Sequence, residues 1–325
     1  MSMAVIEVEN LTKDYGHRRG VFDVSFQVER GEAFGFLGPN GAGKTTTIRH
    51  LMGFSAPEKG HAAISGMDSW KHSHRILEHV GYLPGEPAIH ESLTGMQFLR
   101  MMQGLRHSHD EKRLAYLLDL FQLDPRGKTK RMSLGNKRKL AIIAAFMADP
   151  DIALLDEPTS GLDPLMQERF IEFMLEEKKH GKTILLSSHI FSEVDAVCDR
   201  IAIIKDGEIV STVTTDDIRH NEKKRFEVIF KTPEDYVRFV DAPGLVLDEA
   251  DAVRRRVEVR IDDRDINGLL QLLATLRVTS FREEKFTLEK HFLQFYEKGP
   301  EYRGRHHKDS EYDQRLQGRP RHLRH

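Results

Sequence analysis

The sequence has only one cysteine, Cys198, among its 325 residues. No disulfide bond can therefore form within the chain, and a lone thiol is typical of a reducing compartment. We expect Cys198 to be a small buried apolar residue rather than a nucleophile.

Long apolar runs are also missing, because no stretch approaches the roughly 20 residues that a membrane-spanning helix requires. The first residues, MSMAVIEVEN, lack the basic region and apolar stretch of a signal peptide. The sequence therefore predicts a cytoplasmic protein, and any membrane role would need a separate chain.

An excess of charge of one sign is absent too. The chain has 49 Lys and Arg against 51 Asp and Glu, for a formal net charge of -2. This balance gives no electrostatic reason to expect nucleic acid or an anionic membrane surface as the main partner. At 39% hydrophobic residues, the chain is long enough for one large domain, or for a large and a small one.

Apolar strand-like runs alternate with amphipathic stretches over residues 1–225, which predicts an α/β domain. Ala4–Val8 and Val21–Val28 alternate in the manner of half-buried antiparallel strands. Ile152–Leu155 and Thr183–Leu186 are almost continuously apolar, which is typical of strands buried on both faces of a mainly parallel sheet.

Residues 87–145 lack strand patterning and predict a helical insert in that domain. After a linker near Thr212–Lys224, residues 226–298 predict a small α+β domain with the ferredoxin-like order βαββαβ. Its elements are predicted at Phe226–Phe230, Glu234–Val240, Leu245–Leu247, Arg256–Ile261, Ile266–Leu276 and Val278–Arg282, with a closing helix at Leu288–Glu297. Residues 299–325 have few apolar side chains, so we expect a disordered tail.

A glycine-rich segment follows the strand predicted over Glu32–Phe36 and begins a helix. It matches the phosphate-binding pattern G-x-x-x-x-G-K-[ST] with Gly38, Pro39, Asn40, Gly41, Ala42, Gly43, Lys44 and Thr45, and Thr46 extends the expected cofactor-binding set. Its glycines let backbone N–H groups converge on phosphates at the positive end of the helix. Lys44 is expected to reach the β- and γ-phosphates of ATP, and Thr45 to coordinate Mg²⁺. A turn-rich loop without this function is the alternative, and the flanking strand and helix argue against it.

Two carboxylates, Asp156 and Glu157, follow the predicted strand Ile152–Leu155. Asp156 is expected to hold Mg²⁺, through water, and Glu157 to polarise the water that attacks the γ-phosphate. Solvated acids at a strand end are the alternative. His189 follows the strand Thr183–Leu186, where a lone histidine is more often structural. Its place after the phosphate loop and the acid pair favours a functional role.

These motifs, and the order in which they follow one another along the chain, resemble those of the ATP-binding cassette (ABC) ATPase family over roughly residues 3–225. The resemblance implies that Tyr15 in KDYG stacks on adenine, although a surface tyrosine in a hairpin turn is the alternative. It also implies that Asp163 communicates across a dimer and that His189 contacts the γ-phosphate. ATP and Mg²⁺ are the implied cofactors.

The segment Met132–Asn136, MSLGN, stands where the family usually has LSGGQ. Ser133 and Gly135 match, whereas Leu134 and the final asparagine depart. A serine hydroxyl and free N–H groups at a helix N-terminus can still bind a γ-phosphate, which in this family belongs to the opposite subunit. Ser133 and Gly135 have no other evident use, so we predict a homodimer that sandwiches two ATP molecules.

Gly85 is a second departure, because the family normally has a glutamine there that contacts Mg²⁺ and the attacking water. Glycine cannot make this contact. Either Glu86 substitutes for the glutamine, or the coupling of hydrolysis to transport is tuned differently. We expect slower hydrolysis than in relatives that have the glutamine.

The resemblance implies that Glu86–Leu105 docks a membrane subunit. This stretch has adaptable apolar side chains, namely Met96, Phe98, Leu99, Met101 and Met102. Helices that simply bury their own core face are the alternative for each of these residues.

The end FTLEKHFLQFYEKG, after a βαββαβ unit, is similar to that of bacterial drug and bacteriocin exporter ATPases, which have a separate permease. We therefore expect an ATPase subunit, peripheral on the inner face of the cell membrane, that powers export. The competing hypotheses are a soluble ABC ATPase that acts on the ribosome or DNA, and an ATP-dependent regulatory switch.

Overall fold

The computed structural model describes residues 4–106, 108–216, 223–284, 288, 289, 292 and 293. Contacts divide the chain into two compact units, residues 1–224 with 261–274, and residues 225–260 with 275–325. The predicted helix at Leu288–Glu297 lies mostly outside the described residues, and the predicted tail lies entirely outside them. The domain boundaries of the sequence analysis stay predictions.

The larger unit alternates strands and helices, as the apolar patterning predicts. Its strands are β1 (Ala4–Asp14), β2 (Gly20–Glu29), β3 (Ala33–Leu37), β4 (Lys59–Ile64), β5 (Met67–Asp68), β6 (Val80–Leu83), β7 (Ile152–Asp156), β8 (Thr183–Ser188), β9 (Arg200–Lys205) and β10 (Glu208–Thr214). Its helices are α1 (Lys44–Leu51), α2 (Ser73–His79), α3 (Gly95–Arg106), α4 (Glu111–Leu120), α5 (Leu134–Phe146), α6 (Pro164–Lys179) and α7 (Phe191–Val197).

These strands form two sheets. The first has the order β2-β1-β4-β5, and β1 pairs with β2 antiparallel, as predicted. The second has the order β10-β9-β3-β8-β7-β6, with parallel pairing from β9 to β6 and an antiparallel edge at β10. Every residue of β3, β7 and β8 is buried. Because these three neighbours are parallel, the loops that follow them meet at one edge of the sheet.

A continuous buried cluster joins the two sheets through α1. Phe26 of the first sheet stacks on Phe34 of the second, with ring centroids 5.2 Å apart. Ile48 and Leu51 of α1 are fully buried in the same cluster. Helix α1, and with it the loop that precedes it, is therefore fixed between both sheets.

The predicted helical insert is confirmed in α3, α4 and α5. Phe173 of α6 contacts Phe121 and Phe146 edge to face, at centroid distances of 5.6 and 5.0 Å. Within the described residues, no helix is both long and apolar enough to span a membrane. Cys198 is 3% exposed, so the expectation that it is buried is confirmed, and burial raises the pKa of its thiol.

After Asp216 the described elements are β11 (Lys223–Phe230), α8 (Pro233–Val240), β12 (Val246–Asp251), β13 (Arg256–Asp262), α9 (Ile266–Ala274) and β14 (Val278–Glu284). They follow the predicted order βαββαβ and form a sheet of order β12-β13-β11-β14. The strand predicted at Leu245–Leu247 begins and ends later, as β12. Its exposed acidic half, DEAD, has no apolar alternation from which the strand could be predicted.

Candidate active site

The glycine-rich loop connects buried β3 to α1. Gly41 and Gly43 have φ angles of +83° and +112°, which residues with a side chain rarely adopt. A Cβ atom on Gly43 would also lie 2.8 Å from Cγ1 of Val21. With Gly43 in front of α1, no side chain caps the helix, so its first N–H groups are available to an anion.

Lys44, the first residue of α1, is only 5% exposed. Its Nζ donates to the carbonyl oxygens of Gly38 at 2.6 Å and Pro39 at 3.2 Å. It also lies 3.0 Å from Oε1 of Glu157. The ammonium group is therefore held at the loop, next to one of the two predicted acids.

Asp156 ends β7 and is fully buried. The Thr45 hydroxyl donates to its Oδ2 at 2.7 Å, and the Ser187 hydroxyl, at the end of β8, donates to its Oδ1. The two residues expected to hold Mg²⁺ therefore lie side by side. A carboxylate and a hydroxyl supply the oxygen ligands that Mg²⁺ prefers.

Glu157 has a φ of +49°, a left-handed conformation that is uncommon for a residue with a side chain. Its Oε2 lies 2.6 Å from Nδ1 of His189, while its Oε1 faces Lys44. The structure thus brings together Lys44, Glu157 and His189, three residues that are far apart in the sequence. Strained backbone of this kind clusters at functional sites.

Tyr15 and Asp163 lie at the ends of other elements. Tyr15 is in the turn between β1 and β2, is 51% exposed, and has Nζ of Lys13 5.8 Å from its ring centroid. An exposed ring is compatible with base stacking and with a surface tyrosine. Asp163 accepts a hydrogen bond from the N–H of Met166 at 3.1 Å and so caps α6.

Ser133 and Gly135 both have uses within their own chain that the sequence did not reveal. The Ser133 hydroxyl accepts from the N–H of Asn136 at 3.2 Å and caps α5. A Cβ atom on Gly135 would lie 3.0 Å from the carbonyl oxygen of Gly161. The expectation that these residues have no use except pairing was therefore wrong, since capping and close packing also account for them.

Two buried charged residues at the site were missed. Glu193 of α7 accepts a hydrogen bond from the Ser188 hydroxyl. Burial raises the pKa of Glu193 to about 7, although hydrogen bonds from Ser188 and Thr159 lower it in part. Arg138 of α5 is 2% exposed. Helical spacing could have indicated that both residues are buried. Glu193 stands four positions before the buried Val197, and Arg138 stands four positions before the buried Ile142, so each lies on the buried face of its helix.

Gly85 follows β6 and lies against the buried acid. A Cβ atom on Gly85 would be 3.1 Å from Oδ2 of Asp156, so a side chain there would begin beside the predicted Mg²⁺ ligand. Glu86 is exposed. Gly85 and Glu86 line, together with Thr45 and Asp156, a cavity of about 810 Å³.

The cavity continues along α3. Phe98, Met101 and Met102 line it. Phe98 and Leu99 are buried, whereas Met101 is 42% exposed. The two interpretations of this apolar stretch, a docking surface and a helix that buries its own core face, therefore apply to different residues. Part of the stretch is core, and part is exposed surface.

A parallel sheet that delivers a phosphate loop, a buried aspartate and a Glu–His pair to one edge defines a P-loop nucleoside triphosphatase domain. Residues 21–160 match the family model described as ABC transporter. The chain is 31% identical over 303 residues to the uncharacterized ABC transporter ATP-binding protein YhcH of Bacillus subtilis (strain 168), covering 89% of this chain and 95% of the relative. It is 36% identical over 219 residues to the linearmycin resistance ATP-binding protein LnrL of the same organism, covering 66% of this chain and 70% of the relative.

A solved ATP binding subunit of an ABC transporter is 35% identical and has a TM-score of 0.62, over 67% of this chain and 92% of that structure. A solved dimer of a bacterial ABC transporter cassette shares the fold, with a TM-score of 0.59 at 22% identity, over 65% of this chain and 98% of that structure. The chain therefore belongs to the ABC transporter ATP-binding proteins, and it is an ATPase.

Proposed function

We propose that this ATPase powers export through a separate membrane subunit and that it acts as a homodimer. The observation that carries the proposal is the cavity beside Gly85. It joins Thr45 and Asp156 to apolar surface on α3. A partner bound at that surface would lie next to the residues that handle the nucleotide.

Each residue of the site has a chemical role in this proposal. The loop backbone and Lys44 hold the phosphates of ATP, while Thr45 and Asp156, whose oxygens already lie together, would hold Mg²⁺. When bound, Mg²⁺ neutralises charge on the phosphate oxygens. Glu157 accepts the proton of the attacking water. His189 faces Glu157 through Nδ1 and presents Nε2 to the γ-phosphate.

A second copy of the chain would complete the site. The exposed apolar side chains of Leu134 and Leu165, 64% and 56% exposed, lie at the starts of α5 and α6 and suit burial against a partner. Ser133 and Gly135 of one copy would face the γ-phosphate bound by the other, and Asp163 would act across the same interface. Tyr15 would stack on adenine.

Export is supported by the names of relatives. Besides the linearmycin resistance protein, the chain is 35% identical over 215 residues to the Nod factor export ATP-binding protein I of Ralstonia nicotianae, covering 65% of this chain and 67% of the relative. Export through a permease would place this subunit on the inner face of the cell membrane.

The test compares one exposed apolar residue of α3 with an exposed apolar residue of β10. Met101→Glu should abolish copurification of a membrane protein from detergent-solubilised membranes, because docking would bury the new carboxylate. It should also abolish ATP-dependent solute uptake into inside-out vesicles. Val210→Glu is the control: Val210 is 36% exposed on β10 and lies outside both the cavity and the stretch Glu86–Leu105, so both readouts should survive.

Two outcomes would contradict the proposed transport function, and a third would contradict only its direction. One is copurification of ribosomes or DNA in place of a membrane protein. The other is a membrane complex that hydrolyses ATP but moves no solute in either direction, which would instead support a regulatory switch. ATP-dependent uptake of solute into right-side-out vesicles would still support a transport function, but it would overturn the export direction.

A further inference from the structure

Arg138 connects three segments of the larger unit. From α5 its guanidinium donates to the carbonyl oxygens of Pro84 at 2.8 Å and Gly85, in the loop after β6, and of Ser160 at 3.1 Å. All three partners are backbone atoms, so the contacts depend on where these loops lie and not on which side chains they carry. The planar fork of arginine can bind several acceptors at once, which a lysine ammonium group cannot match geometrically.

Burial makes this arrangement costly for a cation. Arg138 is 2% exposed, and desolvation lowers the pKa of its guanidinium, while the charges of Asp156, Glu157 and Glu193 favour its charged form. A buried charge is retained where the geometry satisfies its hydrogen bonds. Arg138 therefore lies within the field of the acids of the hydrolysis site while it holds the two neighbouring loops.

Each of the two loops contacts a different part of the site. Gly85 lies against the Asp156 carboxylate and lines the cavity on α3. Ser160 closes the turn after Glu157, because its N–H donates to the Glu157 carbonyl at 3.1 Å. A displacement of the loop after β6 would be transmitted through one guanidinium to the turn that sets the backbone of Glu157.

We propose that Arg138 is a positioning residue for ATP hydrolysis: it fixes the loop at Gly85 and the turn after Glu157 relative to one another, and so holds the Glu157 carboxylate in place for its water. Since Gly85 has no side chain with which to anchor its own loop, the backbone contacts from Arg138 replace that anchor. The proposal rests on ATP hydrolysis at the site described above and does not depend on export or on a permease.

The test compares Arg138→Lys and Arg138→Met in the full chain, with Arg75→Lys, at an exposed position on α2, as the matched control. Steady-state ATPase assays give kcat and KM, and thermal unfolding gives Tm. We expect both Arg138 variants to lower kcat at least tenfold, with KM for ATP within twofold of wild type and ATP binding retained. Arg75→Lys should change none of these quantities.

Three results would overturn the inference. Full activity in Arg138→Lys would mean that only the positive charge matters and not the positions of the loops. A kcat within twofold of wild type in Arg138→Met would remove any role. A loss of kcat that is matched by loss of ATP binding and a large fall in Tm in both variants would show a merely structural residue. Because the assay needs this chain alone, failure of the export proposal would leave its result unaffected.

Discussion

Glu157 is held by its backbone as well as by its neighbours. Its φ of +49° and its contacts with Lys44 and His189 place one carboxylate between a cation and an imidazole. Such a carboxylate is suited to accept a proton from water at a fixed position. Its N–H donates to the carbonyl oxygen of Ser187 at 3.0 Å, which attaches the residue to the end of β8.

Replacing this carboxylate by an amide should separate ATP binding from hydrolysis. Glu157→Gln is expected to lower kcat by roughly 100-fold or more, because proton acceptance is lost, while ATP binding is kept. Phosphate release and fluorescent-nucleotide titration measure the two quantities. Glu168→Gln, at an exposed position on α6, is the control. An ATPase rate above one tenth of wild type in Glu157→Gln would rule out Glu157 as the general base.

Gly85 allows a second test at this scale. Gly85→Gln should raise kcat several-fold in the presence of the proposed membrane partner, because an amide would reach the proposed Mg²⁺ and water positions beside Asp156. Gly85→Ala adds the same Cβ, 3.1 Å from Oδ2 of Asp156, without the amide, and should not raise the rate. Equal turnover of the two variants and wild type would remove the hypothesis that Gly85 slows hydrolysis.

At the scale of elements, the start of α5 combines a cap with a proposed nucleotide contact in one serine. Ser133→Ala and Asp110→Ala both remove a helix N-cap, from α5 and α4 respectively. Each is expected to lower the free energy of unfolding by about 1 kcal/mol, as measured by urea denaturation.

The two cap variants should differ in function. Only Ser133→Ala should also weaken the proposed ATP-dependent dimer, which size-exclusion chromatography can measure in a Glu157→Gln background. If both variants retain the dimer equally, Ser133 is a helix cap and nothing more.

At the scale of the whole molecule, Glu193 links stability to pH. Its pKa of about 7 in the folded chain exceeds the ordinary value of 4.5, so the folded state binds the proton more tightly than the unfolded state does. The stability that this proton contributes is present below about pH 4.5 and is lost as the pH rises through about 7.

Wild type should therefore lose stability relative to Glu193→Gln between about pH 5 and pH 8, by on the order of 1–3 kcal/mol. Urea unfolding without nucleotide measures this difference. Glu172→Gln, at an exposed position on α6, should follow wild type. Parallel pH profiles for wild type and Glu193→Gln would show that this carboxyl does not titrate in the range.

Sequence patterns predicted the central strands, the helical insert and the βαββαβ order, because each depends on apolar periodicity or glycine content within a short segment. The phosphate loop was predictable for the same reason: its spacing is a local property. Asp156, Glu157 and His189 could be selected because each lies at or just after the end of a buried strand, and parallel strands bring the residues at their carboxyl ends to one edge of the sheet.

The sequence by itself therefore predicted the phosphate loop, Asp156, Glu157 and His189, together with the elements that carry them. Only the tertiary structure decided how they are held: Ser133 caps its own helix, Gly85 lies against Asp156, and Arg138 and Glu193 are buried at the site. The physical reason is that burial and hydrogen bonding of these residues depend on packing between segments that are distant in the chain. Helical spacing can indicate which face of α5 or α7 is buried, but it does not specify which segments pack against that face.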